Sequence, residues 1–94
     1  MSKKTETNIG VAWYRPEQWD RLRELATDVE VLEATHAEWL TFATRALEDL
    51  RERGVPVQKV HVDVEEISAW CQRQERPMDG LARADYVVTM MNAG

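Results

Sequence analysis

Residues 8–14 read Asn-Ile-Gly-Val-Ala-Trp-Tyr and decide the fold, because large and small side chains alternate along them. Alternation with a period of two is typical of a β-strand. One face of this strand carries Ile9, Val11 and Trp13, and the other carries Gly10, Ala12 and Tyr14. We therefore expect the first face to enter the core. The second face, built on small residues, is expected to accept another element at close range.

On the C-terminal side of this strand, the sequence predicts four helices and one further strand. Apolar residues at helical spacing cover residues 16–26 and the stretches that follow Thr35, Asp63 and Asp79, each a candidate N-cap. A segment rich in β-branched residues, 57–62, stands between the second and third helices. The apolar stripe expected for the last helix consists of Leu81, Ala84, Val88 and Met91.

The order strand, helix, helix, strand, helix, helix indicates a small α/β domain. The long connection between the strands favours a parallel pair. Two antiparallel helices between them would instead allow an antiparallel pair, an α+β arrangement. Such short strands are marginal on their own unless helices or a partner cover them, so we expect a homodimer. Residues 1–7 are polar and predict a flexible arm, which leaves residues 8–94 as one compact domain.

Composition excludes several function classes. The 94 residues carry a formal charge of -5, which argues against binding to nucleic acid or to an anionic membrane surface. No apolar run approaches the roughly 20 residues that cross a bilayer. A single cysteine, Cys71, rules out an internal disulfide, so we expect a cytoplasmic protein. The chain has neither a glycine-rich phosphate loop nor a His-Glu-x-x-His motif, and we expect no cofactor and no metal.

The first candidate site lies where the two strands end. If the strands are parallel, Tyr14 and Arg15 leave the sheet at the same edge as His61 and Asp63. Arg15 would bind a carboxylate or phosphate, His61 would exchange a proton, and Asp63 would orient it, as a catalytic pair requires. The simpler interpretation makes Asp63 a helix N-cap, Arg15 a surface residue and His61 a partly exposed strand residue.

A second candidate site precedes the last helix. Arg76, Asp79 and Arg83 would surround an anion or a carboxylate of a partner. The simpler interpretation makes Asp79 an N-cap and pairs it with Arg83 four residues later.

The last helix is apolar around more of its circumference than one buried stripe requires. Its candidate interface residues are Tyr86, Val87, Met90 and Met91. A second copy or another protein would cover them, and a fully enclosed helix would explain them equally well. The four tryptophans fit a shared core better than a binding surface, and Cys71, on an apolar stripe, fits the core better than a nucleophile.

Residues 10–15, Gly-Val-Ala-Trp-Tyr-Arg, and residues 76–80, Arg-Pro-Met-Asp-Gly, resemble small uncharacterised bacterial proteins, a resemblance that implies no function. The residues themselves favour a non-enzymatic interaction or regulatory module that contacts itself or another protein through the last helix and the exposed strand edge. The alternative is a small cytosolic enzyme, or a protein that binds a metabolite or anion, with its site at Arg15, His61 and Asp63.

Overall fold

The computed structural model describes residues 8–93 and confirms an α/β fold with two strands and four helices in that range. In chain order these elements are β1 (Ile9–Trp13), α1 (Trp19–Leu25), α2 (His36–Glu52), β2 (Val57–His61), α3 (Val64–Arg73) and α4 (Gly80–Ala93). Short 3-10 turns at Pro16–Gln18 and Val29–Val31 come before α1 and α2. The predicted arm, residues 1–7, lies outside the described residues. Within them, every helix is too short or too polar to cross a membrane.

The two strands form a parallel pair, as the long connection predicted. Ile9 lies opposite Val57, and Trp13 lies opposite His61. The ladder is bounded by two hydrogen bonds: the Ile9 N–H donates to the Pro56 carbonyl at 2.9 Å, and the Val62 N–H donates to the Trp13 carbonyl at 3.4 Å. The chain therefore leaves both strands at the same end of the sheet.

The predicted helix starts are confirmed by their caps. Thr35 Oγ1 accepts a hydrogen bond from the Glu38 N–H at 3.1 Å at the start of α2. Asp63 Oδ1 accepts from the Glu65 N–H at 2.8 Å at the start of α3. Each side chain satisfies a backbone donor that has no partner inside its helix. These polar caps fix where α2 and α3 leave the sheet.

The core lies on the Gly10 and Ala12 face of the sheet, because its small residues let α4 approach closely. A Cβ on Gly10 would overlap Met91 Sδ and lie 2.8 Å from Val87 Cγ1, so α4 packs directly against this face. The expected close approach on the Gly10 face is confirmed.

The expectation that the opposite face enters the core is wrong except at Trp13, since Ile9 is 40% exposed and Val11 is only half-buried. On the opposite face, the ring of Trp13 lies 5.1 Å from that of Trp39 in α2.

The four tryptophans do not share one core. Trp13 and Trp19 are buried, and Trp19 also contacts Trp39, with 5.4 Å between ring centroids. Trp39 is half-buried and lies at the rim of this cluster. Trp70 is half-buried elsewhere and packs edge-on against Tyr86 at 5.6 Å.

The predicted inner stripe of α4 is wrong. Leu81 and Val88 are 68% and 54% exposed, whereas Ala82, Tyr86 and Val87 lie in the core. The helix is apolar around most of its circumference, so its periodicity could not identify the buried face. Contact with β1 and α3 selects that face instead, and it places two predicted interface residues, Tyr86 and Val87, inside the molecule.

Candidate interaction site

The free edge of β1 exposes backbone hydrogen-bonding groups. The bonds made by Ile9 and Trp13 show that the odd-numbered residues of β1 face β2. In a strand, the backbone groups of successive residues point to opposite sides. Those of Gly10 and Ala12 therefore point away from β2, and no partner for them lies among residues 8–93. An unpaired row of this kind is a template for another strand.

A cavity of about 310 Å³ follows this edge. Three consecutive residues, Gly10, Val11 and Ala12, line it. Because adjacent strand residues face opposite sides of a sheet, a cavity that touches all three lies against the edge. The rest of its wall consists of Tyr14, Leu32, Trp39, Gly80, Arg83, Ala84 and Val87.

A second cavity, of about 370 Å³, continues along the beginning of the strand. It is lined by Asn8, Ile9, Gly10, Ala84, Val88, Met91 and Asn92. Gly10 and Ala84 line both cavities, so the two form one depression with β1 on one side and α4 on the other. We call this depression the edge groove.

An exposed apolar stripe borders the edge groove. Leu81, Ala84 and Val88 are spaced i, i+3 and i+7 along α4, which puts them on one side of the helix, and all three are exposed. We call these three residues the outer stripe. Met91 is half-buried beside it, and Met90, another predicted interface residue, is exposed at the end of the helix.

A buried ion pair forms one end of the edge groove. Arg83 is only 8% exposed, and its two Nη atoms donate to the two Asp28 carboxylate oxygens at 2.9 and 3.1 Å. Asp28 Oδ2 also accepts from the Gly80 N–H at 2.9 Å. The hydrogen bond from Arg83 lowers the pKa of Asp28 despite the opposing effect of burial. The pair is therefore ionised and carries no net charge.

Tyr14 lies beside this ion pair, and its hydroxyl oxygen accepts a hydrogen bond from Arg83. Burial raises the pKa of its phenol, although the nearby Arg83 guanidinium acts in the opposite direction, so the hydroxyl keeps its proton. The backbone of Tyr14 is satisfied, because His36 Nε2 donates to its carbonyl oxygen at 2.7 Å.

The structure brings together part of the first predicted site. Arg15 and Asp63 line a small cavity of about 200 Å³ at the strand ends, but His61 is exposed on β2 and does not line it. Arg15 Nε donates to Glu17 Oε2 at 2.8 Å, and Asp63 is occupied as the N-cap of α3. Both side chains are thus already partnered.

Gln18 holds these strand ends in place, a role that sequence reasoning missed. Its buried amide nitrogen donates to the Val62 carbonyl at 3.1 Å, and its oxygen accepts from the Val64 N–H at 2.7 Å. One side chain therefore joins the start of α1 to the turn between β2 and α3. A glutamine within a helical pattern gives no signal for such a bridge, which spans more than 40 residues of sequence.

The second predicted site does not converge on one ligand. Arg76 pairs with Asp85 at 3.0 Å and lies over the Trp70 ring, while Asp79 caps α4 by accepting from the Ala82 N–H at 2.9 Å. The expected ion pair between Asp79 and Arg83 is replaced by the pair with Asp28. Tyr14 was predicted for the first site and Arg83 for the second, and both side chains line the edge groove.

The single cysteine lies in the core. Cys71 is buried, and burial raises the pKa of its thiol, which keeps the weakly nucleophilic protonated form. Within the part of the chain that the structure describes, no cluster of His, Cys, Asp or Glu side chains is arranged to hold a metal ion.

Comparison with known proteins found no family model, curated protein or solved structure that matches the chain. The geometry of the edge groove is therefore the basis on which function is inferred.

Proposed function

We propose that this protein is a non-enzymatic interaction module that forms a homodimer through the edge groove and the outer stripe of α4. The observation that carries the proposal is the backbone of Gly10 and Ala12, which has no partner among residues 8–93, beside exposed Leu81 and Val88. Strand addition at a free sheet edge supplies main-chain hydrogen bonds, and neighbouring apolar side chains supply buried area. A cytoplasmic location suits a module whose single cysteine is buried and unpaired.

A second copy is the occupant that fits both features at once. A twofold axis perpendicular to the sheet would pair β1 with its copy in antiparallel fashion and produce four strands. α4 packs against β1, the strand at this edge, so the outer stripe of each copy would lie beside the new strand pair.

Charge does not oppose this association. The chain carries a net charge of -5, but the outer stripe is uncharged, and the Arg83–Asp28 pair at the groove is internally neutral. A sheet of four strands also removes the weakness of an isolated two-stranded sheet.

Sedimentation velocity over a range of protein concentrations tests the proposal. The wild-type chain should shift from monomer to dimer as concentration rises, and Val88→Glu should remain monomeric because it puts a charge in the outer stripe. Thr89→Glu is the matched control, since Thr89 is the next residue of α4, is also exposed, and lies outside the outer stripe. A wild-type chain that stays monomeric at all concentrations, or equal dimerisation by both variants, overturns the proposal.

Ala12→Pro tests the strand edge separately. Proline removes the Ala12 N–H, which points away from β2, and proline is tolerated on edge strands. The variant should keep the helical circular dichroism of the wild type and lose dimerisation. A folded Ala12→Pro chain that still dimerises would show that the contact does not use this edge.

The second candidate function is anion binding at the strand ends, supported by the cavity that Arg15 and Asp63 share. Inorganic phosphate is the probe. Under this alternative phosphate raises the thermal midpoint of unfolding, and Arg15→Ala removes the effect. Arg53→Ala preserves it, because Arg53 forms an exposed ion pair with Asp49 just after the C-terminal end of α2. The existing pair between Arg15 and Glu17 makes this the weaker of the two proposals.

A further inference from the structure

We propose that Lys59 keeps the free edge of β2 from pairing with another strand, so that assembly through the edge of β1 stops at the dimer. The limit to a dimer rests on the proposed homodimer, whereas the protection of β2 depends only on this sheet. Because the sheet has two strands, each strand is an edge. Copies that paired at both edges would always leave a further edge open, and the chains would grow into a filament.

The strand β2 presents a row of backbone groups, as β1 does. Its even-numbered residues face β1, since the Val62 N–H donates to the Trp13 carbonyl at 3.4 Å. The backbone groups of Val57, Lys59 and His61 therefore point away from β1. No backbone partner for these three residues lies within residues 8–93. By backbone geometry alone, a strand could add at either edge of the sheet.

The two edges differ in their side chains. The sequence of β1 is Ile-Gly-Val-Ala-Trp, which holds no ionisable group. The sequence of β2 is Val-Gln-Lys-Val-His, with Lys59 at its centre. Lys59 lies opposite Val11 in the ladder, so it shares the face of the sheet that carries Ile9 and Trp13. It therefore places a positive charge in the middle of a face to which β1 contributes only apolar side chains.

The ammonium group of Lys59 lies over the sheet. Its Nζ atom is 4.6 Å from the centroid of the Trp13 ring, a distance at which the face of the ring attracts a cation. Lys59 is exposed, so water still reaches the charge. A charged side chain that points inward on an edge strand is one of the devices by which natural sheets prevent strand addition.

Strand addition at β2 would cost free energy because of Lys59. The opposite residue of an added strand would have its Cβ about 4.5–5.5 Å from that of Lys59, and the strand would remove water from the ammonium group. Two β2 strands paired about a twofold axis through Lys59 would place two like charges directly opposite, which is destabilising. The edge of β1 carries no such cost, so pairing is confined to that edge.

Sedimentation velocity of Lys59→Val tests the proposal. The variant should form species larger than the wild-type dimer, in a share that rises with concentration. Lys59→Arg is the conservative control, because a guanidinium keeps the charge and also binds the face of Trp13. Gln58→Val is the control for added apolar surface, since Gln58 is exposed on the other face of β2. Both controls should keep the wild-type size, and helical circular dichroism at low concentration checks that each variant is folded.

A second substitution locates the new contact. His61→Pro removes an N–H that points away from β1, and proline is tolerated on edge strands. Added to Lys59→Val, it should return the assembly to the wild-type size while the helical circular dichroism is kept. Large assemblies that persist in this folded double variant overturn the proposal, because they do not use the edge of β2.

The outcomes separate this proposal from the proposed function. If the wild type dimerises and Lys59→Val grows no larger, or if either control grows equally, the homodimer stands and the role of Lys59 is wrong. If the wild type stays monomeric, the homodimer is wrong. The role of Lys59 then still predicts that Lys59→Val associates, and a monomeric Lys59→Val overturns it as well.

Discussion

Removing Asp28 should destabilise the protein strongly, because it leaves the buried Arg83 guanidinium without its counter-charge. The Asp28 and Arg83 side chains are 21% and 10% exposed, and two hydrogen bonds of 2.9 and 3.1 Å join them. Asp28 also accepts the Gly80 N–H at the start of α4. In Asp28→Ala, two of the Arg83 donors and the Gly80 donor lose their acceptor.

Breaking a buried ion pair from one side costs about 3–5 kcal/mol. Partial exposure of Asp28 lets water reach the vacated space, so we expect about 2–4 kcal/mol for Asp28→Ala. For a domain of this size, that loss corresponds to a fall in Tm of about 10–25 °C. The pKa of Asp28 is lowered in the folded state, so its contribution is complete above the unfolded pKa of about 3.9 and disappears as pH falls through the folded value.

Urea unfolding at pH 7 and at a series of acidic pH values measures both effects. The gap in unfolding free energy between the wild type and Asp28→Ala should be full at pH 7 and should narrow below about pH 4. Asp49→Ala is the control, because Asp49 forms an exposed pair with Arg53 at 3.2 Å and should cost at most about 1 kcal/mol. Equal losses from the two variants at pH 7, or a gap that does not change with pH, would refute the reasoning.

Three further predictions concern the packing around the sheet. Gly10→Ala should cost about 1–3 kcal/mol in urea unfolding because its methyl group meets Met91 and Val87, whereas Gly80→Ala, whose Cβ would find ordinary contacts, should change stability little. Gln18→Ala should lower Tm by about 5–20 °C because two buried backbone groups lose their partner; an unchanged Tm would contradict that role. Cys71 should react with a thiol reagent far more slowly in the native protein than in urea, since burial raises its thiol pKa.

Local patterns in the sequence predicted the elements and their order. Alternation identified β1, and the side chains of Thr35 and Asp63 identified the starts of α2 and α3, because a cap is a short-range hydrogen bond. The parallel direction also followed from local features, since a long helical connection brings the chain back to its starting end.

The contacts that shape the edge groove are long-range and could not be predicted in the same way. Arg83 forms its ion pair with Asp28, 55 residues away in the sequence, and not with the nearby Asp79. The sequence around a loop aspartate such as Asp28 does not show whether its carboxylate will pair with a buried arginine or remain in solvent. The prediction of the buried face of α4 was wrong for a related reason. A helix that is apolar on most sides can pack any of several faces against a sheet.

The predicted anion site depends both on strand topology, which follows from local patterns, and on side-chain direction, which does not. Parallel strands did bring Arg15 and Asp63 to one cavity, as topology required, but His61 at the end of β2 stayed outside it. Topology brings strand ends together, while side-chain direction depends on the pleat at each position. One residue of offset therefore decides whether a side chain lines a cavity.

Amide hydrogen exchange at residue resolution, measured at a low and a high protein concentration, tests the central claim most directly. The Gly10 and Ala12 amides should exchange quickly in the dilute protein and become protected as concentration rises, because strand pairing with the second copy occupies them. The Val11 and Trp13 amides, which face β2, should be protected at both concentrations. Rapid exchange of Gly10 and Ala12 under conditions where the protein is dimeric would contradict dimerisation through the edge of β1.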